Sequence, residues 1–130
     1  LRNGLASPPP VVKGRGMTKR VLIVEDEPLI AMMLEDFLDA LGRSCAGTAD
    51  CSAEALPLVE SGAVDCAILD VNLRGGEKSW VIADALETAG IPFVFATGGT
   101  SDTIVERHRD RPQLMKPFTM EGVQRALDRL

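Results

Sequence analysis

Several residue types are scarce in this chain of 130 residues, and each shortage removes a class of function. The single histidine, His108, has no second histidine with which to share a metal ion. Cys45, Cys51 and Cys66 are odd in number and form no CxxC pair, which argues against a disulfide framework and a zinc site. No apolar run is long enough to span a bilayer or to form the core of a secretion signal. We therefore expect a cytoplasmic protein without a membrane partner.

Acidic side chains are missing from residues 1–20, which carry five basic ones. The chain has a net charge of −5, so the remaining nine basic and nineteen acidic residues leave about −10 on residues 21–130. A domain of this charge repels DNA and RNA, and we expect no direct contact with nucleic acid. Residues 1–19 are rich in Gly and Pro and lack apolar periodicity. They predict a flexible basic tail ahead of one domain at 20–130.

Apolar runs and helical periodicity alternate along that domain. The predicted strands lie at 20–25, 43–49, 64–70, 92–97 and 111–115, and the predicted helices at 30–41, 52–61, 78–89, 101–109 and 119–130. Ser52 is the expected cap of the second helix. Continuous apolar runs are typical of parallel strands buried on both faces. The pattern predicts an α/β fold with a flavodoxin-like, doubly wound sheet of five parallel strands in the order 2-1-3-4-5, covered by helices on both faces.

Polar side chains stand where four of the predicted strands end. The first strand runs into an acidic triplet, and the others reach an aspartate, a threonine and a lysine: Glu25, Asp26, Glu27, Asp70, Thr97 and Lys116. In the predicted strand order these ends lie at one edge of the sheet, so we expect the side chains to meet there.

Three clustered carboxylates require more positive charge than one lysine provides. Two carboxylates about 4 Å apart repel by roughly 4 kcal/mol at an effective dielectric constant of about 20. Oxygen ligands with open water positions suit Mg²⁺. A magnesium site beside an exposed aspartate can support phosphoryl transfer, in which Asp70 is the expected nucleophile.

Four segments together carry a family resemblance. "VLIVEDEP", "AILDVNLRGG", "FATGG" and "LMKPF", in this order and at these separations, resemble the receiver domain of bacterial two-component response regulators, over residues 20–130. "FATG" is also similar to a motif of stand-alone, single-domain receivers in bacterial stress signalling, although Gly99-Thr100 does not complete that pattern.

The resemblance implies a function and three site roles. Asp70 would accept a phosphoryl group from a histidine kinase or a histidine phosphotransfer protein. Thr97 would move toward that group and hydrogen-bond it, while Lys116 would pair with a phosphoryl oxygen. The bond between Lys116 and Pro117 is often cis in this family. Such a domain is a phosphoacceptor rather than an enzyme with an external substrate, and it signals by binding a protein partner or by passing the phosphoryl group on.

The resemblance also implies the ligands of the metal ion. Glu25 and Asp26 would hold Mg²⁺ directly or through water, together with Asp70 and the backbone carbonyl of Asn72. Glu25 stands where the family more often has aspartate. Its longer side chain is expected to reach the ion through water.

Two further positions depart from the family pattern. Arg74 replaces a proline that usually stands four residues after the acceptor. Gln113 replaces an aromatic residue that usually stands three residues before the lysine and swings inward as a switch. The chain has no tyrosine at all. We therefore expect phosphorylation to persist and its output to depend on Thr97 and the segment after it.

Two alternative functions stay open at this point. One is a degenerate receiver that binds a protein partner without phosphorylation, which the residues Arg74 and Gln113 favour. The other is a small phosphatase with an aspartyl nucleophile. Asn72 argues against it, because such an enzyme usually carries a second acid two residues after the nucleophile.

Three other features receive simpler interpretations. His108 is predicted to be a solvated surface residue, and Trp80 a partly buried packing residue at the start of the third helix. Arg107, Arg109 and Arg111 are predicted to form a charged helix end, with a docking surface as the alternative.

Overall fold

The computed structural model describes residues 19–98 and 103–130. The predicted tail, up to residue 18, and Gly99-Thr100 lie outside the described residues. In chain order the elements are β1 (Arg20–Val24), α1 (Pro28–Ala40), β2 (Ser44–Ala49), α2 (Ser52–Glu60), β3 (Cys66–Asp70), α3 (Trp80–Ala89), β4 (Phe93–Thr97), β5 (Gln113–Met115) and α4 (Met120–Asp128). Short 3₁₀ turns at Arg74–Gly76 and Glu106–His108 lie in the connections.

All five strands are parallel and form one sheet in the order β2-β1-β3-β4-β5. The predicted strand order is therefore confirmed. In this order β1 and β3 are neighbours, and so are β4 and β5. The acidic triplet after β1, Asp70 at the end of β3, Thr97 at the end of β4 and Lys116 after β5 consequently share one edge of the sheet.

Alternate residues of the central strands β1, β3 and β4 enter two separate cores. Leu22 on β1 packs in one core with the buried faces of α2 and α3, whereas Ile23 packs in the other with α1 and α4. The same alternation repeats on β3, where Leu69 and Ile68 face opposite sides. Burial on both faces explains why β1, β3 and β4 are apolar runs rather than alternating patterns. Within the described residues, no helix has the length and apolar character needed to cross a membrane.

Helix ends follow the expected local chemistry in two places. Gly90 ends α3 in the left-handed conformation, with φ of 73°, which glycine adopts without steric penalty. Thr119 caps α4 by accepting a hydrogen bond from the backbone N–H of Gly122 at 3.0 Å. Pro57 lies inside α2 without ending it.

The structure corrects two local predictions. The residues described between 103 and 109 contain only the 3₁₀ turn Glu106–His108, not the predicted helix at 101–109, whose first two residues lie outside the described part. Ser52 is the first residue of α2 rather than its cap, a position that Cys51 occupies. The hydroxyl of Ser52 instead donates to a carboxylate oxygen of Glu77 at 2.5 Å. Its partner lies far along the chain, so local pattern alone could not show the contact.

Candidate functional site

The predicted strand-end residues do meet, in an acidic pocket formed by Glu25, Asp26, Asp70 and Lys116. Asp70 is only 4% exposed although it carries a carboxylate. Lys116 Nζ lies 3.0 Å from Asp70 Oδ2 and 3.6 Å from Glu25 Oε1. Ligand oxygens of the three acids lie within 4.8 Å of one another. The end of one strand thus supplies the amine that faces acids from two others.

The ionised form of Glu25 is disfavoured in the acidic pocket. Its side chain is 1% exposed, and burial together with the nearby charge of Asp70 raises the pKa of Glu25 to about 7. One carboxylate oxygen, Oε2, accepts a hydrogen bond from the backbone N–H of Glu27 at 3.2 Å. The other, Oε1, is buried and accepts no hydrogen bond from the described residues, although Lys116 Nζ lies 3.6 Å away. A buried acceptor without a hydrogen bond is costly, so a further cation at this oxygen would be favourable.

Lys116 is held in the pocket by several opposite charges. Burial alone would lower the pKa of Lys116. The hydrogen bond to Asp70 and the charges of Asp70, Glu25 and Glu27 outweigh burial, so the net pKa is raised and the ammonium form persists. The peptide bond from Lys116 to Pro117 is cis, as the resemblance implied.

The donor set fits a magnesium ion. Three carboxylates and one ammonium leave the pocket with two uncompensated negative charges when all the acids are ionised. Carboxylate oxygens are the ligands that Mg²⁺ prefers, and Glu25, Asp26 and Asp70 each offer one within 4.8 Å of the others. Glu25, Asp26 and Asp70 are therefore the residues that would hold the ion.

Asn72 follows the pocket on an exposed turn. Its side-chain oxygen accepts a hydrogen bond from Lys78 Nζ, and the two residues form an isolated antiparallel bridge. The side chain is thus directed along the turn. The metal-binding role of its backbone carbonyl stays a prediction.

Thr97 lies at the edge of the pocket with its hydroxyl turned toward β5. The residue is 1% exposed, and Oγ1 donates a hydrogen bond to the sulfur of Met115 at 3.3 Å. The backbone carbonyl of Thr97 accepts from the N–H of Lys116 at 2.9 Å, which ties the ends of β4 and β5 together. Thr97 is therefore beside Lys116, as predicted, with its hydroxyl engaged elsewhere.

The two departures from the family pattern differ in their surroundings. Arg74 is exposed, but its guanidinium pairs with Asp50 at 3.2 Å and donates to the sulfur of Cys51 at 3.2 Å, so it links the turn after Asp70 to the two residues just before α2. Gln113 is exposed at the start of β5 and stands opposite Phe95 in the sheet register.

A second charged group was not predicted from the sequence. The His108 cluster contains Asp84 and Glu87 of α3 with Arg107, His108 and Arg111 of the connection from β4 to β5. The prediction that His108 is a solvated surface residue is wrong: it is 1% exposed, and its Nε2 lies 2.8 Å from Asp84 Oδ1. Its ring meets Phe93 and Phe95 edge to face. A polar residue within "ERHRDR" gives no local signal of this burial.

The arginines of this cluster are also paired rather than free. Arg107 donates two hydrogen bonds to Asp84 at 2.9 and 2.8 Å, and Arg111 lies 3.4 Å from Glu87. The Arg107 hydrogen bonds, helped by His108, hold the pKa of Asp84 at about 2. These contacts fasten the connection before β5 onto α3, so the predicted charged helix end is replaced by an ion-pair network.

Comparison with known proteins defines the class of this fold and pocket. The family model of the response regulator receiver domain matches residues 21–127, which contain the whole acidic pocket. The chain therefore belongs to the response regulator receiver domain family, a family of two-component signalling.

Among relatives within that class, SdrG from Sphingomonas melonis Fr1 has a solution structure that matches with a TM-score of 0.77 and 62% identity, over 85% of this chain and 94% of that one. The receiver domain of Erythrobacter litoralis PhyR matches with a TM-score of 0.76 and 30% identity, over 89% and 92%. The phyllosphere-induced regulator PhyR of Methylorubrum extorquens is 31% identical over 85% of this chain and 43% of that protein. The transcriptional regulatory protein PdtaR of Mycobacterium tuberculosis is 32% identical over 85% and 55%. The chain thus spans about half the length of these curated relatives.

Proposed function

We propose that this receiver domain is a Mg²⁺-dependent phosphoacceptor that takes a phosphoryl group onto Asp70 from a histidine kinase or a histidine phosphotransfer protein. The observation that carries the proposal is the pairing of Lys116 with Asp70 at 3.0 Å beside the buried carboxylate of Glu25, whose Oε1 lies 3.6 Å from the same ammonium group. This pocket has one amine for three acids and gains stability when a divalent cation enters.

Each side chain then has a defined part in the transfer. A carboxylate oxygen of Asp70 attacks phosphorus in line, forming an O–P bond as the bond from phosphorus to the donor breaks. Lys116 pairs with an oxygen of the arriving group, and the Thr97 hydroxyl turns to donate to another. When bound by Glu25, Asp26 and Asp70, Mg²⁺ supplies positive charge that offsets the phosphoryl oxygens.

The relatives support this function and an output through protein contact. SdrG is also described in a BeF₃-activated conformation. Its sequence in that structure is 61% identical to this chain, over 86% of this chain. BeF₃⁻ is a tetrahedral mimic of a phosphoryl group on aspartate. PhyR of Bartonella quintana is described as an anti-anti-sigma factor, and this chain matches 46% of that protein at 27% identity. We propose that the present domain likewise acts through a protein partner.

Intact mass after incubation with acetyl phosphate tests the phosphoacceptor function. We expect one added phosphoryl group that requires Mg²⁺ and is lost in Asp70→Asn. Asp39→Asn, at an exposed position on α1, is the matched control and should be labelled like the wild type. Circular dichroism of each variant shows that it is folded.

The same experiment separates the two alternatives. A folded wild-type protein without an adduct would overturn the proposal in favour of a receiver that binds its partner without phosphorylation. Sustained hydrolysis of a phosphate ester that depends on Asp70 would instead indicate a phosphatase.

A further inference from the structure

The hydrogen bond between Thr97 and Met115 links the acidic pocket to the outer surface. The two residues stand directly opposite each other on the parallel strands β4 and β5. Thr97 is 1% exposed, whereas Met115 is 57% exposed. One methionine side chain therefore reaches from a buried hydroxyl to solvent.

The Thr97 hydroxyl has only one proton and must choose between two acceptors. At present it donates to the Met115 sulfur at 3.3 Å, and a thioether is a weak acceptor. A phosphoryl oxygen on Asp70 would be a charged acceptor, and hydrogen bonds to charged groups are roughly twice as strong as neutral ones. Asp70 lies on β3, on the opposite side of β4 from Met115. Donation to the phosphoryl group therefore requires release of the sulfur.

Release of the sulfur would change a cleft between β5 and α4. Its walls include Met115, Gln113, Pro117, Thr119, Arg125 and Arg129, and its volume is about 580 Å³. Methionine has three rotatable side-chain bonds and adapts its shape readily. A freed Met115 can therefore alter the wall of this cleft without movement of the strand.

We propose that Met115 is the positioning residue that couples phosphorylation of Asp70 to the cleft between β5 and α4, by exchanging its hydrogen bond with Thr97. This inference rests on the proposed function. Gln113 does not take this part, because it stands opposite Phe95 rather than Thr97. The sulfur of Met115 holds the resting position of Thr97, and the phosphoryl group releases it.

Methyl NMR on protein labelled with ¹³C-methyl methionine tests the coupling. The chain has five methionines, and the spectrum of Met115→Leu identifies the Met115 signal. We expect Mg²⁺ with BeF₃⁻ to shift the Met115 methyl signal and to leave that of Met32, an exposed residue of α1, in place. In Thr97→Val the Met115 signal should already be displaced before BeF₃⁻ is added.

Fluorine NMR of bound BeF₃⁻ distinguishes two kinds of failure. Bound BeF₃⁻ with an unmoved Met115 signal would overturn the coupling and leave the phosphoacceptor function standing. A folded protein that binds no BeF₃⁻ in the presence of Mg²⁺ would overturn both.

The affinity for BeF₃⁻ provides a second test. It should change if the sulfur of Met115 competes for the Thr97 hydroxyl, but not if the Met115 side chain only fills space. Met115→Leu preserves most of the side-chain volume but removes the sulfur acceptor. It should therefore raise the apparent affinity for BeF₃⁻ about threefold, on the order expected when one competing neutral hydrogen bond is lost. Met120→Leu, at another exposed methionine, should leave the affinity unchanged. An equal affinity in Met115→Leu and wild type would overturn the exchange.

Discussion

The acidic pocket and the His108 cluster contain similar side chains but balance their charges differently. Among the described residues of the pocket, three carboxylates lie close together and one ammonium group, that of Lys116, pairs with two of them. In the His108 cluster, Asp84 and Glu87 each have a guanidinium partner. When its acids are ionised, the first group has more negative than positive charge, whereas the carboxylates of the second are matched by guanidinium groups. The balance of charge, and not the number of acids, therefore separates the two groups. Each of them also contains one buried atom without a hydrogen bond among the described residues, Glu25 Oε1 and His108 Nδ1.

Burial sharpens the same difference. Glu25 is almost fully buried and its pKa is raised, so its ionised form destabilises the folded state. A bound cation would offset this destabilisation. Asp84 is 44% exposed at its side chain and its pKa is lowered, so its contacts already stabilise the ionised form. The two shifts therefore have different physical causes, which are burial at Glu25 and the hydrogen bonds from Arg107 at Asp84.

The largest expected loss of stability comes from removing the central side chain of the His108 cluster. His108→Ala should lower the free energy of unfolding by about 3 kcal/mol, because a buried ring in contact with Phe93 and Phe95 is lost. Urea denaturation measures the change. Arg109→Ala, at an exposed neighbour, should change stability by less than about 0.5 kcal/mol. Stabilisation by Mg²⁺ should persist in His108→Ala, and its disappearance would mean that the two groups are not independent.

Glu25 should make stability fall as pH rises in the absence of Mg²⁺. Its folded pKa of about 7 lies above the ordinary value of 4.5, so its contribution is complete below pH 4.5 and is lost as pH rises through 7. We expect an effect on the order of 2 kcal/mol.

Comparison of wild type with Glu25→Gln isolates this contribution from other titrating groups. Urea denaturation at pH 5 and pH 8 should show that the variant loses less stability than the wild type. Saturating Mg²⁺ should also reduce the loss in the wild type. Parallel pH profiles without metal would contradict the assignment of the raised pKa to Glu25.

The smallest effect is expected at Asp84. Asp84→Asn should cost about 1 kcal/mol near pH 7, since the Arg107 contact that it breaks is half exposed. The folded pKa of about 2 lies below the ordinary 3.8, so the contribution is present above pH 3.8 and is lost as pH falls through 2. Thermal unfolding should show wild type and variant converging at low pH. Asp36→Asn on α1 serves as the control, and a variant as stable as wild type at pH 7 would show that the network adds nothing.

The sheet and most of the pocket could be predicted because both follow from strand periodicity. Continuous apolar runs identify strands buried on both faces, and the strand order then places Asp70, Thr97 and Lys116 at one edge. The strand order itself comes from the rules for connections between parallel strands, which leave few topologies for five strands, and each of these side chains stands at or next to a strand end.

The remaining features depend on contacts between residues distant in sequence. His108 packs against Phe93 and Phe95, and its Nε2 lies 2.8 Å from Asp84 Oδ1, 24 positions earlier. The sulfur contact of Thr97 follows from the register of β4 and β5, which the sequence does not specify. The sequence of a connection without apolar periodicity does not show whether its charged residues face solvent or pack against a helix.

Trp80 gives the domain a built-in optical reporter. It is the only tryptophan in the chain, and it meets Phe95 edge to face with ring centroids 5.7 Å apart. Phe95 in turn contacts His108 and stands two residues before Thr97. The indole is therefore one ring away from His108, and that ring, Phe95, is close in sequence to Thr97. If the proposed switch operates, we expect the intrinsic emission to change during addition of Mg²⁺ and BeF₃⁻, without a dye or an engineered probe.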